Sequence, residues 1–459
     1  MMNENTAGFV DAAEYGFSPA ATSAENTKAL QDAVNRGGTI QVSGPGTYEM
    51  ANTVFIGSHT TLNFGSGVFL KKDAGVEPFT HLILNKGALT RTYDENIVVR
   101  GLQIIVNGVD VRNWLVHGLH GQLAFFYVKD LKIERFRCMD LEPAQYAIHI
   151  CTFEDIIVDD VIIKGKKDGV HLGRGKRFTI RNGVFATIDD AVALNAHDYA
   201  TGNPEMGWIE DGVVENCHDL HAGQKSIGYF CRILAGAWVD WHAGMEVQQS
   251  DIVVCNNRMY RVHAQPDGTI YTSATQPSHM KGIEVLDGIP WVMAQEDVTY
   301  TAGVRNVIFR DIFLKKPRTS FSVHLDYGKW SRSYYPGAEI PWQEQIVIDH
   351  ACVRHQSDQP LVKVNSPVDC LNIRNSVFGR CGILFRDNSA LPDYGRTIIN
   401  AIGCTYPDHG EMNLVTNSVA NKTIVLKTYA STERWDDFSA RVDVGNGTIL
   451  VNSDLTGLK

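Results

Sequence analysis

The chain has no run of the roughly 18 consecutive apolar residues that a membrane span requires, and its first ten residues, Met1 to Val10, are polar, without the apolar segment of a secretory signal. The expectation is a protein without a membrane partner and with a cytoplasmic location. A secreted or periplasmic one would follow if a signal had been removed. Basic residues are not in excess: the formal net charge is −10, which argues against a polyanion such as nucleic acid held by the global field. CxxC spacing is absent among nine cysteines scattered from Cys138 to Cys404. An odd number placed in strand-like runs reads as buried free thiols of a reducing compartment, with neither a zinc site nor any other metal site. The triplet Gly173-Arg174-Gly175 does not open a helix within a βαβ unit, which excludes a dinucleotide fingerprint.

With 44% hydrophobic residues in 459, the chain can bury a large core. One segment has helical spacing, over about residues 23–36. Thr22 and Glu25 form a capping box, Ala24, Leu30, Ala33 and Val34 recur on one face, and Gly37-Gly38 ends the run. Beyond it a strand–turn–strand theme repeats, at Asn96–Leu102, Asp155–Val161 and Arg177–Val184, with later copies beginning at Asp251, Asn306, Gln345, Leu371 and Thr397. The closest copies start 22 to 26 residues apart. A period in the twenties with short alternating strands predicts a β-solenoid: an all-β, single-stranded right-handed parallel β-helix, with the helix capping the first coil. One domain over 1–459 is expected, with an N-terminal cap at 1–50. Two aromatic-rich inserts, 261–304 and 314–345, carry Trp291, Trp330, Trp342, Tyr334 and Tyr335 as groove walls.

Asp168-Gly169-Val170-His171-Leu172 and Asp190-Ala191-Val192-Ala193-Leu194 place an aspartate before a short apolar strand twice, 22 residues apart. Equivalent positions of adjacent coils stack at about 4.8 Å, so Asp168 and Asp190 should lie one above the other, with Asp189 beside them. Clustered carboxylates repel and push at least one pKa up, and a protonated acid beside an ionised base is what glycosidic cleavage uses. The basic run Lys164, Lys166, Lys167, Arg174, Lys176, Arg177 reads as a solvated face of the stack.

Lys167-Asp168-Gly169 followed by Thr187-Ile188-Asp189-Asp190-Ala191-Val192-Ala193-Leu194 resembles the glycoside hydrolase family of the polygalacturonases, within the pectin lyase-like β-helix superfamily. That family carries Asn-Thr-Asp-Gly on one coil and Gly-Asp-Asp-Cys-Ile-Ala on the next. The capped helix, Gly-Gly-Thr-Ile-Gln-Val at 37–42 and Gly-Thr-Tyr at 46–48 agree with it. The motif likeness covers about residues 160–265. It implies Asp189 as general acid, Asp168 and Asp190 as the pair that activates water, an inverting hydrolysis, and no cofactor. The family's Gly-His-Gly has its nearest match at His221-Ala222-Gly223, with Tyr229 or Arg232 as other residues at that height. Its Arg-Ile-Lys corresponds to Arg261-Val262-His263. Together with His197 these are the candidate substrate-binding residues. The expected partner is an oligosaccharide or polysaccharide, and the inserts suggest exo action; a homo-oligomer stays open. Two alternatives also stay open: a β-helix lyase with Arg232 as base, or an intramolecular glycosyl transferase, and a non-catalytic carbohydrate-binding solenoid.

Overall fold

The computed structural model describes residues 8–388, 395–405, 412–429 and 438–453. The chain divides into two compact units, Met1–Ala193 with Val213–Ile227, and Leu194–Gly212 with Gly228–Lys459. Both are built from coils of a right-handed parallel β-helix. Among the described residues no helix is long and apolar enough to cross a membrane.

In the first unit the strands Leu123–Leu141, Ile148–Gly165 and Gly175–Thr187 lie on successive coils in parallel register. The alternating apolar positions point inward and stack: Ile97, Leu131, Ile156 and Phe178 share one column, Ile133, Val158 and Ile180 another, and all are at most 3% exposed. The polar residues between these runs turn the corners. Asn96, Asp130, Asp155 and Arg177 occupy one corner on four coils with φ of 50–57°, and Arg135, Asp160 and Asn182 a second with φ of 53–56°. Asn and Asp predominate because their short side chains tolerate the left-handed region and hydrogen-bond locally. The corner residues also pair up the stack: Arg177 Nε donates to Asp155 Oδ1 at 2.7 Å and Asn182 Nδ2 to Asp159 Oδ1 at 2.7 Å. Lys176 lies 3.6 Å from Glu154, and Lys166 sits 2.5 Å from Glu142. Of the basic run, Lys164, Lys166 and Arg177 are exposed, whereas Lys167, Arg174 and Lys176 are half-buried.

The N-terminal helix is Ser23–Asn35, with the expected capping box at Thr22 and Glu25. Leu30, Ala33 and Val34 are buried as expected, but Ala24 is exposed, and Asn26 and Ala29 take its place on the buried face. The helix closes the end of the stack with side chains rather than contact alone. Gln31 donates to Phe55 O at 2.9 Å and accepts from Phe55 N at 2.7 Å, and Thr27 Oγ1 accepts from Ala51 N at 2.9 Å. These bonds satisfy backbone groups that a bare first coil would leave open.

The second unit contains two parallel series. One runs Val304–Leu314, Glu344–Val353, Cys370–Arg374, Arg396–Ile402, Thr423–Tyr429 and Thr448–Ser453. The other runs Cys231–Leu234, Phe321–His324, Pro360–Val364, Cys381–Arg386, Met412–Ser418 and Phe438–Val442. The repeat expected at Asp251 is not a coil. Ile252–Cys255 joins a separate five-stranded sheet with Val239–Asp240, Arg258–Val262, Ile289–Gln295 and Ile283–Leu286, largely antiparallel. The insertion therefore begins before residue 261, because an alternating strand looks the same in sequence whether its partner is parallel or antiparallel. Its core holds Trp291, Tyr260 and Val253, so Trp291 is not a groove-wall residue. Tyr334 is likewise buried, whereas Trp330 is exposed. The second expected insert, 314–345, contains the coil strand Phe321–His324. None of the nine cysteines is in a disulfide, and seven of them are buried.

Candidate active site

The backbone bonds Ala147 N→Asp168 O (3.0 Å), Gly169 N→Asp190 O (2.9 Å) and Val170 N→Ala191 O (3.0 Å) put Tyr146, Asp168 and Asp190 at the same place on three consecutive coils. Lys167 and Asp189 share the preceding place. The 22-residue spacing thus stacks the carboxylates as expected, and Asp168, Asp189 and Asp190 each bring an oxygen within 4.8 Å of the others. Asp168 and Asp190 are buried, at 3% and 2% exposure, and Asp189 is half-buried. The stack closes this tightly because residue 169 is glycine: a Cβ there would stand 2.5 Å from Ala191 O and 2.8 Å from the Phe185 ring. Thr187 Oγ1 donates to Asp189 O at 3.0 Å and fixes the next corner.

His171 and Lys167 both act on the cluster directly. His171 Nδ1 lies 2.8 Å from Asp168 Oδ2. Lys167 Nζ contacts Asp189 Oδ2 and sits 3.8 Å from Asp168 Oδ1. The three carboxylates lie close enough to share one cation, and the Lys167 ammonium neutralises part of their charge from the side of Asp189 and Asp168. It also lies 5.6 Å from the centre of the Tyr146 ring, which stacks face to face on His171 at 4.1 Å and 8°. Lys167, expected on a solvated face, is instead half-buried against Asp189, and sequence reasoning assigned no role to His171 or Tyr146. The signal available was the 22-residue register itself, which aligns Lys167 with Asp189 and Tyr146 with Asp168.

His221 belongs to the same unit, on the loop from Leu220 to Ile227. Ser226 Oγ and Ile227 N both bond Ile188 O, at 3.0 and 3.1 Å, so the loop runs beside the corner that carries Asp189. His221 itself is exposed, and its Nδ1 accepts from Gly223 N at 2.7 Å.

The remaining candidates lie in the second unit. Arg232 donates to Asp326 Oδ2 at 2.7 Å and to His324 Nε2 at 3.2 Å, with Asp198 Oδ1 at 3.8 Å. Burial pushes the Asp326 carboxyl up, but the Arg232 charge and the neighbouring His324 outweigh this and hold it well below the usual carboxylate range. Tyr229 is half-buried, with its ring 5.9 Å from His324. Arg261 is fully buried, donating to Asn203 O at 2.7 Å and to Met206 Sδ at 3.2 Å, which places its guanidinium in the interior rather than at a substrate surface. His197 is buried too, its pKa lowered to about 3 by burial and then by Arg261. His263 is half-buried, its pKa lowered by the same two causes. The structure thus assembles the three aspartates, and separately ties Arg232 into an ion-paired network and Arg261 into a core.

No family model and no curated protein matches the chain. Among solved structures it is similar to the N-terminal fragment of gene product 12 of bacteriophage Phi29, at 11% identity and a TM-score of 0.53, over 95% of this chain and 72% of that one. It is also similar to tailspike protein 3 of bacteriophage CBA120, at 12% identity and 0.47, over 98% and 62%. A third is a hyperthermoactive exopolygalacturonase from Thermotoga maritima, at 11% and 0.44, over 98% and 93%. Likeness at this level of identity establishes the β-helix fold alone.

Proposed function

We propose that the protein is a glycoside hydrolase that cleaves an oligosaccharide or polysaccharide with Asp168, Asp189 and Asp190. The observation that carries this reading is the convergence of three carboxylates from adjacent coils to within 4.8 Å of one another, two of them buried. Asp189, the most accessible of the three, is the acid that protonates the leaving oxygen. Asp168 and Asp190 hold and activate the attacking water. An ammonium in contact favours a carboxylate's charged form, so an arriving sugar has to lift Lys167 off Asp189 before that group can carry a proton. Hydrolysis is preferred to elimination because Arg232, the base a lyase would need, is held by Asp326 and His324. Acid–base cleavage by carboxylates needs no cofactor.

The test is a product screen of wild type and Asp189→Asn against plant and microbial oligosaccharides. Release of a saturated mono- or disaccharide, reduced about 10²- to 10⁴-fold in the variant, supports the proposal. Unsaturated or anhydro products would move it to elimination or transfer. Binding without turnover of any sugar would make the protein a binding module. Inverting enzymes hold their acid and base roughly 6.5–9.5 Å apart to admit a water. The tighter cluster here makes the anomeric configuration of the first product, read by NMR, the decisive check on inversion. A rapid fall in viscosity of a long polymer would overturn exo action.

A further inference from the structure

We infer that His171 is a positioning residue for Asp168, fixing that carboxylate's orientation and its charge through one Nδ1–H···Oδ2 hydrogen bond. This rests on the hydrolase reading for its functional consequence, though not for its geometry.

Three observations carry it. His171 Nδ1 stands 2.8 Å from Asp168 Oδ2, and both side chains are buried. A carboxylate has only lone pairs to offer at that distance, so the proton belongs to Nδ1 and the imidazole donates. The ring, moreover, cannot turn away. Tyr146 covers one face at 4.1 Å and 8°, and His149 meets it edge-on at 4.7 Å and 68°. These two are held in turn: His120 N donates to His149 Nδ1 at 3.0 Å, and the His120 ring stacks on Tyr146 at 4.9 Å. Finally, Asp168 is a residue whose position matters, since its oxygens face Lys167 on its own coil and Asp189 and Asp190 on the next.

The charged groups around Asp168 are therefore Lys167, Asp189 and Asp190, with His171, His149 and His120 as titratable rings behind it. The two aspartates oppose ionisation of Asp168. Lys167 favours it, but Lys167 also contacts Asp189 and is displaced when a sugar takes its place there. The His171 bond also favours the charged form, and it comes from a ring buried behind Asp168 rather than from the side where Lys167 meets Asp189. It keeps Asp168 a base when Lys167 leaves.

The test uses His171→Phe, which keeps a flat ring against Tyr146 but removes the donor, and His171→Asn, which returns a donor. Both are compared with wild type, Asp168→Asn and Asp189→Asn after their melting curves have confirmed folding. With a sugar from the product screen, His171→Phe is expected to lose about 10²-fold in kcat with little change in KM. The acid limb of its kcat/KM profile should move to higher pH, and His171→Asn should recover much of the loss. An unchanged rate and acid limb in His171→Phe, with Asp168→Asn inactive, overturns the inference and leaves the hydrolase reading standing. Full activity in Asp168→Asn and Asp189→Asn sinks the hydrolase reading instead. The geometry is judged without any substrate from the ring ¹⁵N resonances of His171. A Nδ1–H tautomer in wild type is expected, whereas a Nε2–H tautomer overturns the assignment. If His171→Phe fails to fold, the same NMR measurement decides.

Discussion

A methyl group at position 169 would meet Ala191 O at 2.5 Å and the Phe185 ring at 2.8 Å. Neither neighbour is a flexible tip: one is backbone of the next coil, the other a fully buried ring. Gly169→Ala must therefore push adjacent coils away from each other at the point where Asp168 faces Asp190. Overpacking of this kind costs about 1–3 kcal/mol, and we expect a lower melting temperature. Activity should fall further than the melting curve explains, because the displaced backbone carries Asp168. A variant with wild-type turnover would show that the aspartate register tolerates play. At this scale, too, lie the features of the site that could not be read in advance. Asp168 and Asp190 were legible because stacking follows from the period alone. The His171 bond depends on how the chain bends at Gly169, and the burial of Arg261 depends on a sheet whose pairing is set by residues about 30 positions away; neither is encoded in local pattern.

Elements of this fold are stabilised at their edges. Gln31 reaches from the helix to both the N–H and the C=O of Phe55, imitating the neighbouring strand that the first coil lacks. Gln31→Ala removes both bonds and leaves a backbone donor and acceptor of the first coil unsatisfied. An unsatisfied buried group costs about 1–3 kcal/mol, and less at this half-buried edge, where hydrogen exchange at Phe55 should accelerate before that of inner coils. If Phe55 exchanges no faster, the helix covers the coil by packing only. The helix was readable because its signals are local: the capping box at Thr22 and Glu25 and the glycines at 37 and 38. The strand at Ile252–Cys255 was misread because alternation marks a half-buried strand without naming its partner. In the same way, aromatic content marked the inserts but could not tell Trp291, a core residue, from Trp330, an exposed one.

For the molecule as a whole, buried neutral histidines work against stability in acid, partly offset by Asp251, whose carboxyl is pushed up to about 6 by burial. His81 in the first unit has its pKa lowered from the ordinary 6.5 to about 4 by burial, and His197 in the second to about 3. Folded, neither takes a proton until the pH is well below that of an unfolded histidine. The unfolded chain then binds protons that the folded chain does not, and stability falls as pH drops below about 6.5. Each group contributes about 1.4 kcal/mol per pH unit, and the losses level off below about pH 4 and about pH 3 respectively. The depressed Asp326 carboxyl adds to the loss in acid. Melting temperatures measured from pH 7.5 to 4.5 should decline steadily, and a flat profile would mean that these rings reach water before the fold opens.

In the first unit the hydrogen bonds between coils point along the direction in which the coils are stacked, and successive coils repeat after 25 and then 22 residues, as from Leu131 to Ile156 to Phe178. Such a body responds to tension as a row of fasteners rather than a single lock. Pulled lengthwise, it would unwind turn by turn, each turn releasing roughly 75–85 Å of slack chain. Because Asp168 and Asp190 ride on neighbouring turns, the carboxylate cluster would vanish with the first of those two to let go, while the turns on either side were still wound.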